Sequence, residues 1–244
     1  MERKRFYFNI ENFKDDEIII TDDEFHHMVN VMRLRVNDEV VLFCGNGKDY
    51  FATIKSISKK EAVCSVCEVK DNLTETGLNL TIFQALVKGE KLALITQKLT
   101  EIGVNEIAVF ESKYCDVKSN TTKLDKLNKV VIGASKQCGR SVLMKTNNRV
   151  LTFKELLESI KKYDAVLLAY ENENCKTLSD YCKKLSKTAK IAIIIGPEGG
   201  FDKKEVENLS GAGAEVVSLG KRILRTETAA IFMASVIIGS VESL

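Results

Sequence analysis

The stretch Ile191–Glu205, IAIIIGPEGGFDKKE, decides the fold. Its first five residues are all apolar, the pattern of a strand covered on both faces in a parallel sheet. The strand runs into Gly196-Pro197-Glu198-Gly199-Gly200, where glycines let main-chain groups approach a ligand closely. Pro197 is the only proline in the chain. Asp202 and Glu205 then have the spacing of a capping box that opens a helix. A glycine-rich turn by itself is often only a turn. One that also carries a proline and a carboxylate, between a buried strand and a capped helix, is a candidate site.

Outward from this stretch the chain alternates strands and helices. Strands are expected at Asn79–Leu86, Glu106–Phe110, Ala165–Ala169 and Glu215–Leu219. Leu92, Ile95, Leu99 and Ile102 step by three and four before Gly103 ends their helix. Leu124, Leu127, Val131, Ala134 and Cys138 step likewise, with Lys126, Lys129, Lys136 and Arg140 on the other side, which predicts a basic surface stripe. Near the C-terminal end, Val217–Ala230 reads VSLGKRILRTETAA: a strand, a basic loop, then Thr226 or Thr228 capping a long apolar helix. Helix N–H groups beside Arg225 suit an anionic or electron-rich ligand. The plainer alternative for Arg225 is a surface pair with Glu227. The fold class is therefore α/β with a mainly parallel sheet and its site at the strand carboxyl ends.

The first seventy residues differ. Arg5–Phe8, Glu17–Ile20, Glu39–Cys44, Asp49–Ile57 and Glu61–Val69 are short β-branched or aromatic runs, two of them joined by Gly45-Asn46-Gly47-Lys48 with hairpin chemistry. Thr21–Glu24 has capping-box spacing ahead of Phe25, Met28, Val29 and Met32, which predicts one helix. Residues 1–70 thus read as a small β-barrel, 71–77 (DNLTETG) as a polar linker, and 78–244 as the α/β domain.

Composition bounds the function. The chain has 244 residues, 45% hydrophobic and 29% charged, the profile of a globular protein. The opening MERKRFYFNI has no apolar run of signal-peptide length, and Ala229–Ile238, broken by Ser235, is too short for a membrane span. Seven cysteines without scaffold spacing predict free thiols in a reducing cytoplasm. Net charge is only +2, yet Lys118–Arg149 holds eight basic residues against Asp125, a segment suited to a polyanion. Gly211-Ala212-Gly213-Ala214 lacks the third glycine of a dinucleotide fingerprint and follows a helix, the reverse of the required order. Cys64 and Cys67 lie in one strand at an odd offset, on opposite faces, and the adjacent His26 and His27 stand alone, so no metal site is expected.

GPEGGF (196–201) and LGKRILRTETA (219–229), in that order, resemble the ribosomal RNA small subunit methyltransferase E family of SPOUT proteins. KGEKLALITQKLTEIGV (88–104), ASKQCGR (134–140), HHMVNVMRLRVNDEV (26–40) and GNGKDYFATI (45–54) are similar to further segments of that family, so the likeness spans nearly the whole chain. Gly133, Lys136, Leu143, Met144 and Lys113 depart from its usual pattern.

The resemblance implies a PUA-like RNA-binding barrel followed by a SPOUT domain with a trefoil knot, a homodimer, and cytoplasmic methylation of N3 of a uridine in 16S ribosomal RNA. The cofactor implied is S-adenosylmethionine, held by Leu168, Ala169, Tyr170 and Glu171, by Gly196, Pro197, Glu198, Gly199 and Gly200, and by Leu219, Gly220, Ile223, Leu224, Arg225, Thr226 and Thr228. RNA would be gripped by Arg33, Arg35, Lys88, Lys98, Lys126, Lys129, Lys136, Gln137 and Arg140. In the expected chemistry Arg225 stabilises the uridine anion, and Glu198, Glu227 or solvent takes the N3 proton. The alternatives are a methyltransferase of the same fold acting on another RNA and a non-catalytic ribosome-binding factor.

Overall fold

The computed structural model describes residues 3–118, 124–170, 177–182 and 189–242. It forms two compact units: Met1–Glu75 with Ser135–Leu143, and Thr76–Ala134 with Met144–Leu244.

In the first unit, β1 (Lys4–Tyr7), β2 (Phe13–Lys14), β3 (Glu17–Thr21), β4 (Glu39–Phe43), β5 (Lys48–Ile57) and β6 (Glu61–Asp71) form one sheet in the order β1-β4-β5-β6-β3-β2. β1 pairs in parallel with β4, and the remaining pairs are antiparallel. β4 and β5 are joined through Gly45–Gly47, as the hairpin chemistry predicts. Alternating residues bury Phe6, Ile18, Ile20, Leu42, Ile54 and Cys64 in one core. Cys67, three residues after Cys64, is exposed.

One expectation for this unit is corrected. The helix after β3 is not a capped α-helix to Met32: α1 spans only Asp22–His26, a π-helical turn follows over His27–Val31, and Thr21 makes no side-chain cap. Asp22, at the first helical position, has φ +54°, which breaks the cap geometry. The first unit runs to Glu75 and also takes in Ser135–Leu143. The reason is a polar network. Arg140 is 2% exposed and grips Glu75 through two hydrogen bonds of 2.8 and 2.7 Å. Arg5 donates to Asp49 at 2.9 Å and to the Ser141 hydroxyl at 2.7 Å, and Asn72 donates to Asp49 and to the Gly139 carbonyl. Burial opposes the charge on Asp49, but its hydrogen bonds to Arg5, Ser141 and Asn72 outweigh that and hold its carboxyl below the usual range.

The second unit holds β7 (Asn79–Ala85), α2 (Gly89–Ile102), β8 (Glu106–Phe110), α3 (Asp125–Cys138, shared with the first unit from Ser135), β9 (Lys145–Thr146), α4 (Phe153–Ile160), β10 (Ala165–Ala169), α5 (Leu178–Cys182), β11 (Lys190–Ile195), α6 (Lys203–Gly211), β12 (Glu215–Val217) and α7 (Thr226–Glu242). Its sheet has the order β12-β10-β11-β7-β8-β9 and every pairing is parallel. On one face Phe83, Ala192 and Ile194 pack with Leu156 and Ile160 of α4 and Leu209 of α6. Alternation turns Ile82, Gln84, Ile193 and Ile195 to the other face, toward α7, which contacts β7, β11 and α2. Burial on both faces is why β10 and Ile191–Ile195 of β11 read as unbroken apolar runs. No described helix is long and apolar enough to cross a membrane.

Candidate functional site

The chain order reverses within the parallel sheet: β8 and β9 extend one side of β7, while β11, β10 and β12 extend the other. Ligands of open α/β sheets collect at the carboxyl ends of strands near such a reversal. A cavity of about 430 Å³ lies there, bounded by the segments that follow β10, β11 and β12. That volume falls in the range of roughly 300–1,000 Å³ typical of small-molecule sites.

The turn after β11 is built by close approach. A Cβ on Gly196 would lie 2.9 Å from the Phe201 ring, and one on Gly199 would lie 2.9 Å from the Tyr114 Cβ. Only glycine lets the turn sit this tightly on its neighbours. Gly200 N donates to the Pro197 carbonyl at 3.1 Å, closing the turn. The predicted capping box then forms: Asp202 accepts from Lys204 N, and Glu205 accepts from Asp202 N, both at 3.0 Å. Glu205 is also buried against the Ser112 hydroxyl (3.1 Å) and Lys113 N (3.0 Å). Hydrogen bonds from the Lys113 ammonium, Lys204 N and the Tyr114 hydroxyl pull the Asp202 carboxyl down to about 2. The turn is thus anchored from the loop after β8, on the far side of β7, as well as by its own helix.

Across the cavity runs Ser218–Thr226, the basic loop into α7. Arg225 is exposed on the wall, and its carbonyl accepts from Ala229 N at 2.8 Å, so Arg225 sits at the helix N-terminus. The pair between Arg225 and Glu227 considered above does not form. Glu227 has Lys91 Nζ 4.0 Å away instead, and its Oε2 is buried without a hydrogen-bond partner. Lys91 donates to Glu198 at 2.9 Å. That hydrogen bond raises the lysine's pKa, keeping it a cation on the cavity wall. The Thr226 hydroxyl does not cap α7 but donates to the Gly196 carbonyl at 2.7 Å, tying the basic loop to the glycine-rich turn.

Of the residues expected around the cofactor, Ala169, Tyr170, Gly196, Pro197, Glu198, Gly200, Leu219, Gly220, Ile223, Leu224, Arg225 and Thr226 line the cavity. Leu168, Gly199, Thr228 and the candidate base Glu227 are not among its lining residues, Leu168 being fully buried in the core. Glu171 lies outside the described residues. Lys91, Ile195, Phe201, Ser218, Lys221, Arg222 and Ala229 line it without having been expected. Lys221 and Arg222 sit in the loop read as basic, so their signal was present. Lys91 gave none, since a lysine in the first turn of an amphipathic helix reads as a solvent face.

The expected basic surface stripe is corrected at two positions. Lys136 is half-buried and donates to both oxygens of Glu24 at 2.8 and 3.0 Å, and Arg140 is buried on Glu75. Periodicity placed them opposite the apolar stripe but could not show that carboxylates cover them. Lys126, Lys129, Gln137, Lys88, Arg33 and Arg35 are exposed, and Lys98 pairs with Glu101 one turn along α2. Among the described residues no three His, Cys, Asp or Glu side chains cluster so as to hold a metal ion.

The family model described as RNA methyltransferase domain matches residues 74–238, and that described as RNA methyltransferase PUA domain matches 20–67. The ribosomal RNA small subunit methyltransferase E of Bacillus subtilis (strain 168) is 32% identical over 226 residues, 89% of this chain and 88% of that protein. The chain belongs to the ribosomal RNA small subunit methyltransferase E family. Solved structures agree with this membership. A Legionella pneumophila methyltransferase in complex with S-adenosylmethionine superposes with a TM-score of 0.89 at 30% identity, covering 98% of both chains. The Neisseria gonorrhoeae ribosomal RNA small subunit methyltransferase E bound to S-adenosylmethionine does so at 0.85 and 29%, covering 97% of both. These neighbours share the α/β sheet and the preceding PUA-like unit, which makes this a SPOUT-type methyltransferase fold.

Proposed function

We propose that this chain transfers the methyl group of S-adenosylmethionine to N3 of a uridine in 16S ribosomal RNA. The observation that carries the reading is the cavity at the carboxyl ends of β10, β11 and β12, walled by the glycine-rich turn after β11 and the basic loop that carries Arg225, in a chain of this family. The residues present suit the cofactor. Ile195, Leu219, Leu224 and Ala229 offer an apolar wall for a purine, and main-chain groups of the Gly196–Gly200 and Ser218–Leu224 segments offer hydrogen bonds. Bound there, the sulfonium supplies an electrophilic methyl carbon.

The chain's own residues do the rest. Uridine N3 carries a proton and becomes nucleophilic when it is lost. Arg225, fixed at the N-terminus of α7, stabilises the resulting anion by charge and orientation. Glu198 is the carboxylate on the wall and so the protein group placed to accept the proton, with Lys91 holding it in position. Glu227 acts through Lys91 rather than on the substrate. In this reading the first unit is the RNA-binding domain, presenting the exposed Arg33 and Arg35, and exposed Lys126 and Lys129 add contacts to phosphate. The substrate is the small ribosomal subunit, the enzyme works in the cytoplasm as a homodimer, and the family's knot involves the loops around the cavity.

The test is methyl transfer from labelled S-adenosylmethionine to small subunits lacking the modification, followed by identification of the labelled nucleoside. Label in 3-methyluridine at one position is the expected result. Label only in another RNA would move the substrate, and absence of both label and cofactor binding would favour a non-catalytic ribosome-binding factor. Arg225→Ala is expected to lower kcat by about 100-fold, the scale of losing one oriented charge donor. Full turnover at saturating substrate would remove Arg225 from the mechanism.

A further inference from the structure

A buried side chain behind the cavity joins its two walls. Gln84 is fully buried on β7, in register with Ile195, the residue before Gly196. Its Nε2 donates to the Thr226 hydroxyl at 2.9 Å and to the Ala85 carbonyl at 3.0 Å. Thr226 passes its own hydrogen to the Gly196 carbonyl at 2.7 Å. The direction of this chain is fixed by chemistry. A carbonyl can only accept, so the hydroxyl hydrogen is committed to Gly196 and the hydroxyl must accept from Gln84. A flipped amide would set Oε1 against the Ala85 carbonyl, two acceptors together, so Nε2 takes that place.

Gln84 Oε1 is buried and has no hydrogen-bond partner. An apolar side chain of similar shape would pack among Ile82, Ile193 and Ile195 without that penalty. Stability alone therefore does not account for a glutamine here, whereas a donor aimed at Thr226 does. Two of these hydrogen bonds join β7, the first residue of α7 and the turn after β11.

We propose that Gln84 is a positioning residue for the cofactor site. Through the Thr226 hydroxyl it sets the spacing between the Gly196 turn and the α7 N-terminus that carries Arg225. This rests on the assignment of the cavity to S-adenosylmethionine. Neither Gln84 nor its amide touches the cavity, so its action is entirely through Thr226.

The experiment is calorimetric titration of S-adenosylmethionine into the wild-type chain, Gln84→Leu, Thr226→Val, the double variant and Thr226→Ser, with Tm measured for each. Gln84→Leu and Thr226→Val should each weaken binding about tenfold, the scale of one hydrogen bond's worth of alignment. The double variant should be no weaker than the worse single variant, because both break the same chain. Thr226→Ser keeps the hydroxyl and should recover most of the affinity. Folded single variants that bind like the wild type would overturn the proposal. So would a double variant whose loss is the product of the two single losses, or a serine no better than valine. If Gln84→Leu does not fold, Thr226→Val against Thr226→Ser decides the matter. A wild-type chain that fails to bind S-adenosylmethionine would overturn the cofactor assignment and this proposal with it. Normal wild-type binding with unaffected variants overturns this proposal alone.

Discussion

The helices α1 and α6 both begin after an oxygen-bearing residue with a glutamate three positions on, and the two glutamates do different things. At α6, Glu205 reaches back to Asp202 N while Asp202 caps Lys204 N. At α1, the Thr21 hydroxyl donates to Asp22, and Glu24 turns away to Tyr7 N and the Lys136 ammonium. An ammonium is a stronger donor than an amide, so a carboxylate offered both leaves the helix end. Glu205 faces no such competition. Its other donors, the Ser112 hydroxyl and Lys113 N, are neutral, and the bond to Asp202 N is kept beside them. A capping box therefore depends on the backbone at its first helical residue, where Asp22 has φ +54°, and on which donors surround the glutamate.

The largest test of this contrast is Glu205→Ala. It strips partners from Ser112, Lys113 N and Asp202 N at a buried position, and should cost about 2–4 kcal/mol in denaturant unfolding. A loss under about 1 kcal/mol would mean that solvent replaces the carboxylate freely. Glu24→Gln should come next, at about 1 kcal/mol, since a half-buried ion pair is screened but Lys136 loses a charged partner. If the box rather than the ion pair mattered at α1, Glu24→Gln would be neutral and Thr21→Ala would not.

Acid titration sharpens the α6 side. The Asp202 carboxyl is held to about 2 in the native state, below its unfolded value near 4. Its stabilising contribution is complete above roughly pH 4 and is lost as pH falls through about 2. Asp202→Asn should flatten the acid limb of the stability curve in that window, and an unchanged limb would remove Lys113 and Tyr114 as meaningful partners. Thr21→Ala should be the smallest effect, within about 0.5 kcal/mol, because no cap is lost.

The same contrast explains what could be read in advance. The Gly196–Gly200 turn and the Asp202 box were legible because glycine, proline and cap spacing act on their own stretch of backbone. The parallel sheet was legible because burial on both faces leaves apolar runs. Lys91, Gln84, Lys136 and Arg140 were misread or missed for one reason: each is defined by a partner distant in sequence. Periodicity reports the side of a helix, not what is packed on it. The attachment of Ser135–Leu143 to the first unit follows the same rule, since it rests on Arg5, Asp49, Asn72 and Glu75.

The central pairing of the second sheet joins β7 to β11, Asn79 opposite Lys190. Closing so long a loop is entropically slow and precedes any reward from the contacts it brings. Until β11 docks, the Gly196 turn has no β7 beside it and Thr226, at the start of α7, lacks the Gly196 carbonyl it binds. The pocket is thus a late product of folding, and a ligand that needs both walls selects chains that have already completed it. Such a ligand should slow unfolding more than it speeds folding.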